Sequence, residues 1–173
     1  MKRRLRFLVA LLVWTLSWVV SPSAAAAQER DQAVKLSGPR VGATFLSGGI
    51  VDTLRDESLI DVGSLVTQFG WQFEKRFSSS DNGLTPVTEW VLLLGGLEQG
   101  VALPSLTWLV GVRARNGAEF GVGPNLTPVG VALAVAAGVT FHSGSLNLPV
   151  NLAVVPSKSG MRVSLLAGFN MRR

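Results

Sequence analysis

The chain has 173 residues, 47% of them hydrophobic, with 16 Lys and Arg against 11 Asp and Glu, one His and no Cys. Without cysteine there is no disulfide framework and no thiol to carry a lipid, and a His/Cys zinc site is excluded. Four of the bases, Lys2, Arg3, Arg4 and Arg6, stand before an apolar run, so the rest of the chain carries 12 positive against 11 negative charges and lacks the basic stripe that nucleic-acid binding requires.

The apolar run "FLVALLVWTLSWVV", Phe7 to Val20, is followed by "SPSAAAAQ". A basic head, an apolar core and small residues offering A-x-A cleavage make a secretory signal peptide, with cleavage expected after Ala27. The core of about 14 residues is shorter than the roughly 20 needed to span a bilayer as a helix. The expected organisation is a signal peptide over 1–27, a periplasmic N-terminal segment over 28–39 and a β-barrel domain over 40–173.

Beyond the signal, helical periodicity is rare, whereas alternation, β-branched residues and Gly, Pro or Asn punctuation recur at intervals of about ten residues. The pattern predicts strands at Arg40 to Leu46, Leu65 to Phe77, Val87 to Leu94, Ala102 to Arg115, Ala118 to Gly123, Val129 to Phe141, Leu146 to Val155 and Met161 to Phe169. Between the first two, Ser47 to Ser64 is long; "GGIVDTLRDESLID" is expected to hold a short helical turn at Asp52 to Glu57 or to be a loop. "SSSDNG", Ser78 to Gly83, reads as a loop. Asn116-Gly117 reads as a type I′ hairpin pairing the fourth and fifth strands, since both central positions of that turn need positive φ. "PNLTP" (Pro124 to Pro128), His142 to Ser145 and Ser157 to Gly160 read as further short turns. An antiparallel up-and-down meander of about eight strands has two edges, and closing it into a barrel removes both. An even strand count places both termini on the periplasmic side.

The two faces of these strands differ in kind. "QFGWQFEKRF" puts Phe69, Trp71 and Phe73 on one side and Gln72, Glu74 and Arg76 on the other. In the sixth strand Val131, Leu133, Val135 and Val139 oppose Gly130, Ala132, Ala134, Ala136 and Gly138. A water-soluble barrel clothes its outer face with charges and hydroxyls, and Gly and Ala are poor at that. In an eight-stranded membrane barrel the same small residues make room inside for side chains from the other strands, and strands of roughly nine to eleven residues span the bilayer when tilted. The expected lumen network is Gln72, Glu74, Glu89, Arg113, Glu119 and Arg162. The expected lipid-facing residues are Phe69, Trp71, Phe73, Trp90, Trp108, Leu133, Val135, Leu165 and Phe169. Trp90, Trp108 and Phe120 are candidates for an interfacial girdle or for ordinary apolar packing. The alternative is a soluble periplasmic barrel with its greasy face inward, binding a lipid or other apolar ligand.

Chemistry-bearing patterns are few. His142 lies at a strand end beside Ser143 and Ser145, but neighbours on a strand point to opposite faces, so a Ser/His pair is disfavoured. Asp52, Asp56, Glu57 and Asp61 crowd the long loop without EF-hand spacing and read as a solvated acidic segment. "GVGPNL" lacks the spacing of a dinucleotide loop. No catalytic residue, metal site or cofactor is expected. The partners expected are outer-membrane lipids and the outer-membrane insertion machinery, with no nucleic acid.

With its signal peptide, its alternating strands and a terminal strand "MRVSLLAGF", the chain resembles small Gram-negative outer-membrane β-barrel proteins. The runs "QFGWQFEKRF", "GGLEQGVALPSLTWLVG", "EFGVGPN" and "NLPVNLAVVPSKSGMRVSLLAGFN" also look like uncharacterised exported bacterial proteins. The resemblance is one of pattern over most of the chain and brings no catalytic residues; it implies a non-enzymatic barrel with a structural, adhesive or minor permeation role. The chain departs from the pattern in having no Tyr and in Asn170-Met171-Arg172-Arg173 following Phe169.

Overall fold

A computed structural model describes residues 35–58, 60–77, 83–143 and 145–171. The expected signal peptide and its cleavage point lie outside the described residues. Strand β1 (Lys35–Leu46) leads to helix α1 (Gly48–Ser58), and then come β2 (Leu65–Arg76), β3 (Leu84–Gly95), β4 (Leu103–Ala114), β5 (Ala118–Thr127), β6 (Gly130–Ser143), β7 (Leu146–Ser157), β8 (Gly160–Gly168) and β9 (Asn170–Met171). Consecutive strands pair antiparallel, and β1 closes on β8 from Arg40 opposite Gly168 to Leu46 opposite Arg162. Strand β9 holds the register of β8 past a break at Phe169, since Val150 faces Ala167 and Asn147 faces Asn170. The architecture is a closed up-and-down barrel of eight staves with no free edge, as the alternation and the turns predict.

Several boundaries differ from the sequence reading. Strand β1 begins at Lys35 rather than Arg40, so residues 35–39 belong to the wall. Residues Pro124 to Thr127 continue β5 instead of turning. Pro124 pairs with Leu133 of β6, while on the β4 side the ladder skips Trp108 and Leu109. Proline has no N–H to give there, which is why the break falls where it does. The Asn116-Gly117 hairpin joins β4 to β5 through a three-residue loop, 115–117, and not a two-residue turn. The Gly117 N–H donates to the Ala114 carbonyl at 3.0 Å, and Gly117 takes a left-handed φ of 84°, the layout of a tight turn closed by a glycine bulge. A β-carbon on Gly117 would also strike the Thr140 carbonyl.

The long connection after β1 is more ordered than expected, holding an 11-residue helix. Ile50, Val51 and Leu54 share one face at helical spacing and pack with Leu46, Val62, Val66 and Leu103. Leu46, Val66 and Leu103 come from the ends of β1, β2 and β4 that meet at one mouth, and Val62 from the segment before β2, so α1 lies across that mouth. Burying each such side chain contributes about 1.5–3 kcal/mol. Ser47 ties the helix to β8: its N–H donates to the Met161 carbonyl at 3.0 Å, and its hydroxyl accepts from the Met161 N–H at 2.9 Å.

A 3-10 turn at Leu97–Gln99 clasps the same mouth. Glu98 accepts from the Thr67 N–H at 2.8 Å and the Thr67 hydroxyl at 2.5 Å, and Gln99 Nε2 donates to the Leu65 carbonyl at 2.7 Å. The Thr67 hydroxyl, then its amide, pull the Glu98 carboxyl down to about 2. An unfolded glutamate titrates near 4.3, so the clasp's contribution is full above that value and disappears as pH falls through about 2. In an NMR titration the Thr67 amide is therefore expected to hold its shift at pH 4 and to move only near pH 2; movement centred above pH 4 would contradict the clasp.

The large apolar side chains turn outward: Phe69, Trp71, Phe73, Trp90, Trp108, Leu133, Val135, Leu165 and Phe169 are all exposed. Among the described strand side chains, Lys75 alone places a charge on the outer face, near the end of β2. This is the reverse of what the soluble alternative needs. Trp90 and Trp108 stack with ring centroids 5.6 Å apart, at a cross-strand pair in the middle of the β3–β4 ladder. They form lateral packing rather than an end girdle. The Trp108 indole N–H donates to Thr88 Oγ1 at 2.9 Å and the Thr88 hydroxyl donates to the Leu109 carbonyl at 3.2 Å. The polar atoms on this face thus satisfy one another, as a hydrocarbon solvent demands.

Candidate functional site

The alternation that turns the aromatic rings outward sends every second residue into the lumen. At the end opposite α1, Glu74 (β2), Glu89 (β3), Arg113 (β4) and Glu119 (β5) converge. Arg113 grips Glu74 in a fork, Nη1 to Oε1 at 2.5 Å and Nη2 to Oε2 at 2.6 Å. Its Nε donates to Glu119 Oε2 at 2.6 Å, and Nη2 reaches Glu89 at 3.4 Å. Arg76 Nε joins Glu74 at 2.7 Å, and Asn151 Nδ2 donates to Glu119 Oε1. The bidentate geometry is the strong form of an arginine–carboxylate contact.

Gln72 meets this cluster through a residue that the sequence reading left out. Arg40, only 1% exposed, donates from Nε to Gln72 Oε1 and from Nη1 to Asn170 Oδ1, both at 2.9 Å. It lies within electrostatic reach of Glu89, Glu74 and Glu119. Three carboxylates, Glu74, Glu89 and Glu119, are thus set against Arg113, Arg76 and Arg40. The signal for Arg40 was present in the sequence: it shares parity with Gly42 and Thr44, opposite Val41, Ala43 and Phe45. Asn170 becomes a partner only because β8 and its extension close on β1, across 130 residues of chain.

Arg162 does not join this cluster. It pairs with Leu46 of β1 and Val155 of β7, at the α1 end, and its Nη1 donates to Thr127 Oγ1 at 2.5 Å. No carboxylate among the described residues forms an ion pair with it. The expected single network is therefore two features at opposite ends of the lumen, because Arg162 sits at the start of β8 whereas Arg113 sits near the end of β4.

Between them lies a cavity of about 90 Å³. It is roofed by Ile50 and Leu54 of α1 and walled by Val91, Leu109, Val155 and Leu166, with Arg162 at its rim and Gln72 and Glu89 at its floor. Inward Ala134 and Ala136 leave the space. The sequence reading treated the inner face as small or polar; it also holds this aliphatic band.

Other expected or weighed sites do not assemble. No group of three metal-capable side chains gathers among the described residues, and Asp61 pairs with Arg55 at 2.8 Å. His142 is the penultimate residue of β6, and its side chain lies outside the described residues. No described helix is long and apolar enough to cross a membrane, which bears only on helices.

No family model and no curated protein matches the chain in sequence. In fold it is similar to the Yersinia pestis outer membrane protein Ail in a phospholipid bilayer nanodisc, with 10% identity over 80% of this chain and 99% of that one and a TM-score of 0.51. The crystal structure of Ail, the attachment invasion locus protein of Yersinia pestis, matches with 12% identity over 82% of this chain and 99% of that one, at a TM-score of 0.50. The chain thus has the fold of the small eight-stranded outer-membrane β-barrels.

Proposed function

We propose that this chain is a non-enzymatic outer-membrane β-barrel, surrounded by outer-membrane lipids, delivered by the outer-membrane insertion machinery and sealed to ions. The observation that carries the reading is the outer wall: a belt rich in Phe, Trp, Leu and Val around all eight strands, in which Lys75 is the one charge among described strand side chains. Such a wall is insoluble in water and matches acyl chains, and closure of β1 on β8 removes the open sheet edge that hydrocarbon does not tolerate. The helix-bearing mouth, with the longest connection, faces outward, and the loop at 115–117 faces the periplasm with the start of β1 and the end of β9.

The seal rests on the charge cluster. Its arginines and carboxylates are engaged with one another in the narrow interior of an eight-stranded barrel, so they serve as a plug that holds the staves in register. The protein is expected to stay in the membrane fraction through a salt wash, to need detergent for extraction and to migrate as a heat-modifiable band. In planar bilayers the purified protein is expected to give no steady current. Release by salt would remove the membrane assignment; steady currents that change on Arg113→Ala would remove the seal.

A further inference from the structure

The lumen holds a buried cation with no counter-charge among the described residues, beside a largely apolar cavity. Arg162 is 6% exposed, and its Nε has no hydrogen-bond partner. The charges at the far end are balanced without it: three carboxylates face Arg113, Arg76 and Arg40. A guanidinium taken out of water is costly unless it is paired, and its planar fork fits a carboxylate better than any neutral acceptor. The wall next to it is aliphatic: Leu46, Ile50, Leu54, Val91, Leu109 and Leu166 line the cavity. Its volume of about 90 Å³ exceeds several times the 10–15 Å³ or so that admits one water. From Arg162 to Leu166 the wall of β8 runs about 13 Å at roughly 3.3 Å per residue, and less along the axis of a tilted strand.

We propose that this compartment is a binding site for a single-chain carboxylate amphiphile, with Arg162 and Thr127 holding the head at the α1 mouth and the tail lying against Leu109 and Leu166. The inference rests on the membrane-barrel reading. The head neutralises Arg162, and the tail displaces water from a wall that offers it few partners. Asn125 Oδ1 and Gln72 Nε2, both unpartnered and both lining the cavity, leave room for a polar group along the tail.

The test is NMR of the full exported protein in nanodiscs, with labelled arginine side chains and Leu and Val methyl groups, titrated with octanoate, octyltrimethylammonium, octyl glucoside and acetate. A heat-modifiable band first establishes that each sample is the membrane barrel; failure of the wild type there overturns the membrane reading itself. With the barrel intact, octanoate is expected to shift the Arg162 Nε–H and the methyls of Leu109 and Leu166 saturably. The cationic and neutral octyl probes, and acetate without a tail, are expected to do so at least tenfold more weakly. Arg162→Met is expected to weaken octanoate at least tenfold, Thr127→Val several-fold, and Leu109→Trp to abolish the lumen shifts by filling the space. Three results would overturn the site: shifts confined to outward methyls such as Leu133 and Leu165, equal response to the cationic probe, or lumen methyls that see only water. The comparison among probes on the wild type decides the matter even where a variant fails to fold.

Discussion

Arg113→Met is expected to lower the unfolding free energy by about 3–5 kcal/mol, the usual cost of removing one partner from a buried ionic cluster. Arg113 bonds three carboxylates at once. Without it Glu74 keeps Arg76, but Glu89 loses its ion pair and Glu119 keeps only Asn151 among the described residues. The large loss comes from the stranded negative charges and not from any great net worth of the pairs themselves. The double variant Arg113→Met, Glu119→Gln is therefore expected to recover part of the loss, since it removes one charge of each sign and leaves Glu74 paired with Arg76. Urea unfolding in detergent micelles, followed by the heat-modifiable band, reads both. Equal stability of Arg113→Met and wild type would mean that the cluster is hydrated and contributes little to holding the staves.

Leu165→Arg is the second large effect, expected to cost about 2–4 kcal/mol, the range for a cation on the lipid face near the bilayer midplane. Leu165 is 57% exposed and lies in the body of β8, paired with Ala43 and Leu152. A water-solvated position this exposed tolerates substitution within about 0.5 kcal/mol, so the two solvents predict different outcomes for the same change. Lys75, near the end of β2, supplies the internal control: Lys75→Leu is expected to change stability little, because a long cationic side chain at that level reaches the water boundary. Unfolding curves that place Leu165→Arg within experimental error of wild type would show that water, and not hydrocarbon, solvates this wall.

The residues that were legible in the sequence are those whose position follows from period two alone. Gln72 and Glu74 face inward because Trp71 and Phe73 face outward, and Arg113 follows from Val112 and Val110 in the same way. The Asn116-Gly117 pair marked a hairpin correctly, though its turn has one more residue than the dipeptide suggested, because Gly117 serves as the bulge. Pro124 misled, since proline is a turn residue in most contexts; here a gap in one ladder accommodates it within β5. The helix was underestimated for a similar reason. Ile50, Val51 and Leu54 make a short apolar face in an otherwise acidic segment, and such a face has little to stabilise it until a mouth exists to bury it.

By itself the amino-acid order determined the alternation, the number of staves and the two chemically distinct faces, because strand geometry sends successive side chains to opposite sides whatever lies beyond. Only closure decided the rest. Joining β1 to β8 brought Arg40 to Asn170, set Arg162 apart from the carboxylates and put α1 over the open end. Those neighbours are far apart in sequence, and the register of a closed cylinder, not any local preference, fixes which of them meet.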